Sequence, residues 1–79
     1  MGKIAKLRHR AHEPLTIRER QIVFAVSEGA TNRQIGRRLR LAEGTVKVHL
    51  HHIYRKLGIP NRTTLAVVAH TKTKTLHAA

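Results

Sequence analysis

An all-α fold of four short helices is predicted by three observations on this 79-residue chain. Glu43 to Gly58 places Val46, Leu50, Ile53 and Leu57 at spacings of four, three and four. At about 100° per residue these side chains fall within about 60° of one another, which is one face of a helix. Capping patterns also recur along the chain, at Thr16–Glu19, Thr31–Gln34 and Asn61, with Gly29 and Gly58 as stops. No segment shows the apolar–polar alternation of a strand, and there is no internal repeat. The helices are expected at about 17–28, 32–39, 43–57 and 62–70, within one domain spanning 15–70.

Residues 1–14 precede the first helix. Lys3, Lys6, Arg8, His9, Arg10 and His12 alternate with small residues there, and Pro14 disfavours helix at Glu13. This stretch reads as a flexible basic arm or linker remnant, with an added phosphate contact as its other use. Thr16-Ile17-Arg18-Glu19 is a capping box: the Thr16 hydroxyl can accept from the Glu19 amide while the Glu19 carboxylate accepts from the Thr16 amide. Ile22, Val23 and Val26 form the apolar stripe of the first helix, and Gly29 supplies the left-handed residue that ends it. Glu19 and Glu28 read as cap and surface groups rather than catalytic carboxylates.

Thr31 and Gln34 repeat the device at the second helix, with Ala30 and Ile35 able to form a hydrophobic staple. Ile35 and Leu39 face inward. Gly36 weakens this helix by about 0.5–1 kcal/mol relative to alanine, but leaves room for another helix to come close. Arg37, Arg38 and Arg40 stand at its end, suited both to the helix dipole and to phosphates. Only a few residues around Leu41 and Ala42 separate it from the third helix. Two helices so joined make a helix-turn-helix, whose second member is the expected DNA reader.

The outer line of that third helix carries Gly44, Val48, His51 and Arg55, with Lys47 at its shoulder. A β-branched Val48 among basic residues suits a surface that meets something other than water. A thymine methyl among guanine acceptors in the major groove is one such surface. A solvated basic helix with an incidental valine accounts equally for this helix taken alone. Gly58 then ends the helix in a Schellman motif with Ile59 as its apolar contact, and Pro60 blocks continuation. Asn61 can cap the fourth helix. There, Leu65, Ala66, Val68 and Ala69 offer more apolar surface than one small core needs, and Val67-Val68 suggests a second burial surface against a partner protomer. Residues 71–79 begin with a basic, low-complexity Thr-Lys run and are expected to form a flexible tail.

Composition narrows the function. Sixteen Lys+Arg against four Asp+Glu give a formal charge of +12, which favours a polyanionic partner. With no cysteine there is neither a disulfide framework nor a thiolate metal site. His49 and His52 can share a helix face, but a metal needs a further ligand, and only remote His12, His70, His77 or a glutamate could supply it. No metal site and no cofactor are therefore expected. Ser27, the lone serine, has no neighbouring histidine or acidic orienter, and no phosphate-cradling glycine loop is present, so no enzyme is expected. Phe24 and Tyr54 are too few for the stacking platform that single-stranded nucleic acid needs, which favours duplex DNA. No run of about 18 apolar residues is present to span a bilayer. The start lacks a signal core, and Lys6 stands where a myristoylation signal has Ser or Thr, so a cytoplasmic location is the default. The alternatives are a non-specific nucleic-acid binder or a basic helical protein on a membrane surface. The caps and stops, which specify a domain folded in water, argue against the membrane.

Leu15-Thr16-x-Arg18-Glu19, Gly29-x-Thr31-Asn32-x-x-Ile35, Thr45-Val46-Lys47-x-His49, Ile53-x-x-Lys56-Leu57-Gly58 and Asn61-Arg62 together resemble the LuxR/NarL-type (GerE-like) helix-turn-helix. The match covers about residues 15–70, with its anchors in order along the chain. The resemblance implies the four-helix DNA-binding domain of a bacterial transcription regulator, either the effector domain of a response regulator or a stand-alone regulator. In the first case an N-terminal receiver or sensor domain is missing here; in both, the resemblance implies a homodimer on adjacent half-sites that pairs through the fourth helix at Leu65, Val68 and Ala69. Lys47, Val48 and His51 fall at its base-reading positions. Thr31, Asn32, Thr45 and Lys56 fall where the family touches the DNA backbone, and Arg33, Arg37 and Arg55 join them as phosphate contacts on charge and position. Two departures stand out. Ala42 replaces the usual serine cap of the reading helix, at about 0.5–2 kcal/mol, offset in part by a Leu41–Val46 staple. Gly36 replaces the usual alanine, which points to a softer domain.

Overall fold

The computed structural model describes residues 14–78, with side chains described as far as residue 71. The described residues form four helices and no strand: α1 (Ile17–Ser27), α2 (Asn32–Leu39), α3 (Glu43–Leu57) and α4 (Arg62–Ala78). α1 lies mainly along α4 and touches α3, while α2 packs on α3. The basic arm, apart from Pro14, lies outside the described residues.

Local chemistry sets each boundary. Thr16 Oγ1 accepts from the Glu19 amide at 3.1 Å, and Glu19 Oε1 accepts from the Thr16 amide at 2.8 Å. Thr31 and Gln34 make the same reciprocal pair at 3.1 and 2.8 Å. Each box satisfies two of the amides that a helix start leaves without partners. Gly29 (φ 85°) and Gly58 (φ 65°) take the left-handed conformation after α1 and α3. Beyond Gly58, the Ile59 amide reaches back to the Tyr54 carbonyl, and the Ile59 side chain packs on the core. Asn61 Oδ1 accepts from the Thr64 amide at 3.0 Å to open α4. No glycine or proline follows, so the backbone of α4 continues to Ala78, beyond the expected end at 70.

Ile22, Ala25, Val26, Ala30, Ile35, Val46, Leu50, Ile53 and Leu65 form one buried cluster. Ile22, Ile35, Val46, Ile53 and Leu65 are fully enclosed, each contributing about 1.5–3 kcal/mol by removal from water. The inward line of α3 is Val46, Leu50 and Ile53 as its spacing predicts, with Leu57 half-buried. On α1 the stripe is rotated. Ala25 is buried beside Ile22 and Val26, Val23 is half-buried, and Phe24 is exposed.

Glu19 is the cap that the sequence predicts, and it is buried, only 3% exposed. One expectation is corrected. Leu65 and Ala69 are not a dimer surface: at 0% and 4% exposure they are enclosed in the chain's own core. They stand four residues apart on the inward line of α4, which leaves Val67 outside at 61% and Val68 half-buried.

Gly36 also has a different reason from the one expected. A Cβ there would stand 2.5 Å from the Leu41 carbonyl oxygen, so what comes close is the backbone of the α2–α3 turn rather than another helix. The Leu41 amide donates to the Gly36 carbonyl at 2.8 Å, and Arg40 turns the chain in the left-handed conformation (φ 60°, ψ 47°). Glycine therefore tightens this turn, where the sequence alone suggests softness.

Candidate nucleic-acid interface

The α2–α3 unit presents the outer face of α3. Its buried line of Val46, Leu50 and Ile53 fixes the helix rotationally, so Thr45, Lys47, Val48, His51 and Arg55 all face outward. Val48 is 53% exposed between basic neighbours. The His51 ring meets Tyr54 edge-on, with centroids 6.2 Å apart, and Tyr54 is itself packed on the core. Ala42 makes no side-chain cap, as its methyl group dictates, and Leu41 packs against the cluster that holds Val46.

The cations fall into two groups. Arg33, Arg37, Lys47 and Arg55 are exposed, and their side chains make no hydrogen bond or ion pair among the described residues. Arg38 pairs with Glu28 at 2.7 Å, both half-exposed, a contact worth at most about 1 kcal/mol. Lys56 differs from all of these. Its Nζ donates to Glu19 Oε1 at 2.8 Å and to the Pro14 carbonyl at 3.5 Å, and its side chain is only 18% exposed. The ammonium that the sequence assigns to a phosphate is thus engaged inside the domain. Burial raises the pKa of Glu19, but the Lys56 ammonium and the Thr16 donors outweigh it and hold the carboxyl below its ordinary value.

At the start of α2, Thr31 is exposed and Asn32 half-buried. Asn32 Oδ1 accepts from Arg62 Nη1, and Arg62 Nη2 donates to the Ala30 carbonyl. In the sequence Arg62 stands out only within the Asn61-Arg62 pair. Nothing local signals a partner 30 residues away. Among the described residues no group of three or more His, Cys, Asp or Glu could hold a metal ion, and no helix is long and apolar enough to cross a membrane.

A short basic helix pair whose second member turns an unpaired, partly apolar face outward defines a helix-turn-helix reader of DNA. Residues 13–69 match the family described as bacterial regulatory proteins, luxR family, and the chain belongs to it. It is similar to the transcriptional regulatory protein LiaR of Bacillus subtilis (strain 168), 43% identical over 75 residues, covering 87% of this chain and 36% of LiaR. It is also similar to the probable transcriptional regulatory protein SgaR of Hyphomicrobium methylovorum, 45% identical over 64 residues, covering 81% and 30%. The nitrate/nitrite response regulator protein NarL of Escherichia coli (strain K12) is 43% identical over 56 residues, covering 71% and 26%. The chain thus spans about a third or less of the length of these relatives. Family membership and the names of these relatives support DNA binding in transcription regulation.

Proposed function

We propose that the chain reads duplex DNA by sequence, with α3 in the major groove and the N-terminal half of that helix against base edges. Lys47 donates to guanine O6 and N7, Val48 packs on a thymine methyl, and His51 donates to a purine acceptor. Thr31, Asn32, Arg33, Arg37, Thr45 and Arg55 hold phosphates and set register without specifying sequence. Lys56 is withdrawn from that set because its ammonium is paired with Glu19. The observation that carries the reading is the exposure of Val48 between Lys47 and His51, directly opposite the buried Val46–Leu50–Ile53 line. The chain acts by binding rather than as an enzyme, in the cytoplasm, as the effector domain of a larger regulator with a receiver or sensor domain ahead of it. Similarity over about a third of LiaR and a quarter of NarL supports that placement.

Two copies occupy symmetric half-sites about one duplex turn apart, meeting through the outward line of α4 at Val67 and the edge of Val68. Selection of bound duplexes from a random pool tests the whole reading. A recovered motif with twofold symmetry is expected, and recovery of unrelated sequences would overturn it. Titration of one half-site against a two-site duplex separates pairing from reading, since equal, independent affinity per site would remove the dimer alone.

A further inference from the structure

We infer that Arg62, at the first position of α4, is a positioning residue for phosphate binding at the start of α2. The inference rests on the DNA-binding reading above and names a residue that stands outside the reading helix and its turn. Arg62 spreads its guanidinium over two acceptors of one short segment, the Ala30 carbonyl oxygen and Asn32 Oδ1. A guanidinium only donates, so the side-chain oxygen of Asn32 is fixed on Arg62 and its NH2 group on the opposite side. Thr31 is arranged in the same sense. Its Oγ1 accepts from the Gln34 amide at 3.1 Å, and its own amide donates to Gln34 Oε1 at 2.8 Å. The hydroxyl proton of Thr31 is left to point outward.

The two side chains at this helix start therefore have their acceptors engaged within the protein and their donors free. A DNA phosphate oxygen only accepts, so a patch of donors alone matches it, whereas an unheld asparagine could offer its carbonyl oxygen and meet the phosphate with repulsion. Arg62 also adds positive charge behind the amide it holds, which strengthens the outward N–H donors. In this arrangement Arg62 touches no DNA and acts through Asn32.

The test is a double-mutant cycle on the full chain, using one duplex selected from a random pool and a scrambled duplex of equal length and composition. Each variant is first checked by thermal melting. Arg62→Ala should weaken binding to both duplexes by the same factor, about tenfold, the size of one hydrogen bond to a charged acceptor. In an Asn32→Ala background the same change should weaken binding less than about twofold, the margin within which independent sites add. The slope of log affinity against log salt should stay as in the wild type, because Arg62 itself neutralises no phosphate. A slope reduced by about 0.9 would mean that Arg62 contacts phosphate directly, and would overturn the inference. Equal losses in both backgrounds would overturn it too.

Should Arg62→Ala not fold, Asn32→Asp decides the matter. Aspartate keeps, and strengthens, the bond to Arg62 while removing the outward donors, so the melting temperature should hold and affinity for both duplexes should fall more than about tenfold. Wild-type affinity in that variant would sink the proposal. A wild-type chain that did not prefer the selected duplex at all would instead refute the underlying DNA-reading assignment, leaving the two failures distinct.

Discussion

Lys56 Nζ stands 2.8 Å from Glu19 Oε1, joining the last turn of α3 to the first turn of α1 across 37 residues of sequence. The carboxylate it meets already closes the capping box with Thr16. One buried oxygen thus takes part in both the start of α1 and the anchoring of the reading helix. Removal of either partner leaves a charge in a largely buried place, which costs about 3 kcal/mol.

That pair makes acid stability informative. The folded-state pKa of Glu19 lies below its ordinary value of 4.5. Ionised Glu19 therefore favours the folded state at any pH above the unfolded value. The contribution is lost as pH falls from about 4.5 through the folded pKa, the range over which the folded carboxylate takes its proton. Melting temperature measured against pH should fall in that window for the wild type. Glu19→Gln should lower the melting temperature at neutral pH and flatten the acid decline, and an unchanged decline would show that another carboxylate governs it.

Salt dependence sorts the cations. Arg37→Ala should reduce the slope of log affinity against log salt by about 0.9, the share of one neutralised phosphate, with little change in melting temperature. Lys56→Met should do the reverse, with a lower melting temperature and, at temperatures where it is folded, an unchanged slope. A reduced slope in Lys56→Met would return that residue to the DNA backbone.

Gly36→Ala tests the turn. Alanine is the better helix former by about 0.5–1 kcal/mol, so on helix propensity alone the change stabilises. Because the added methyl would lie 2.5 Å from the Leu41 carbonyl oxygen, overpacking should prevail, with a net loss of about 1–3 kcal/mol in chemical denaturation. A more stable Gly36→Ala protein would mean that the turn can withdraw freely.

Base reading is separable from stability. Lys47→Ala and Val48→Ala alter exposed side chains and should melt like the wild type. Each should narrow the free-energy gap between selected and scrambled duplex by about 1–3 kcal/mol. Competition binding with the two duplexes measures the gap, and a folded Lys47→Ala that kept it whole would place the reading face elsewhere.

What could be foreseen in this chain is local. Thr16 with Glu19, Thr31 with Gln34, Gly58 with Ile59, and Asn61 are each legible because the cap and its partner lie within a few residues. The α3 face is legible because one line is wholly apolar and the other is mostly not. The orientation of α4 is not, because Leu65, Ala66, Val67, Val68 and Ala69 form an unbroken apolar run with no polar side to mark the outside. Leu65 and Ala69 face the core only once α1 lies against them. The long-range pairings of Glu19 with Lys56 and of Asn32 with Arg62 are hidden for another reason. A charged residue in a basic chain has many possible neighbours, and the fold alone brings these four into pairs.

The second bond of Lys56, to the Pro14 carbonyl, bears on how force or motion reaches the domain. Pro14 lies beside the last turn of α3, at Lys56, nine residues beyond Lys47. At about 1.5 Å per residue that is about 14 Å along the helix axis from the end proposed to read bases. The leash and the fingertips are thus at opposite ends of one rod. Tension applied at Pro14 bears on the tail of α3, while the end proposed to meet the bases is left unencumbered.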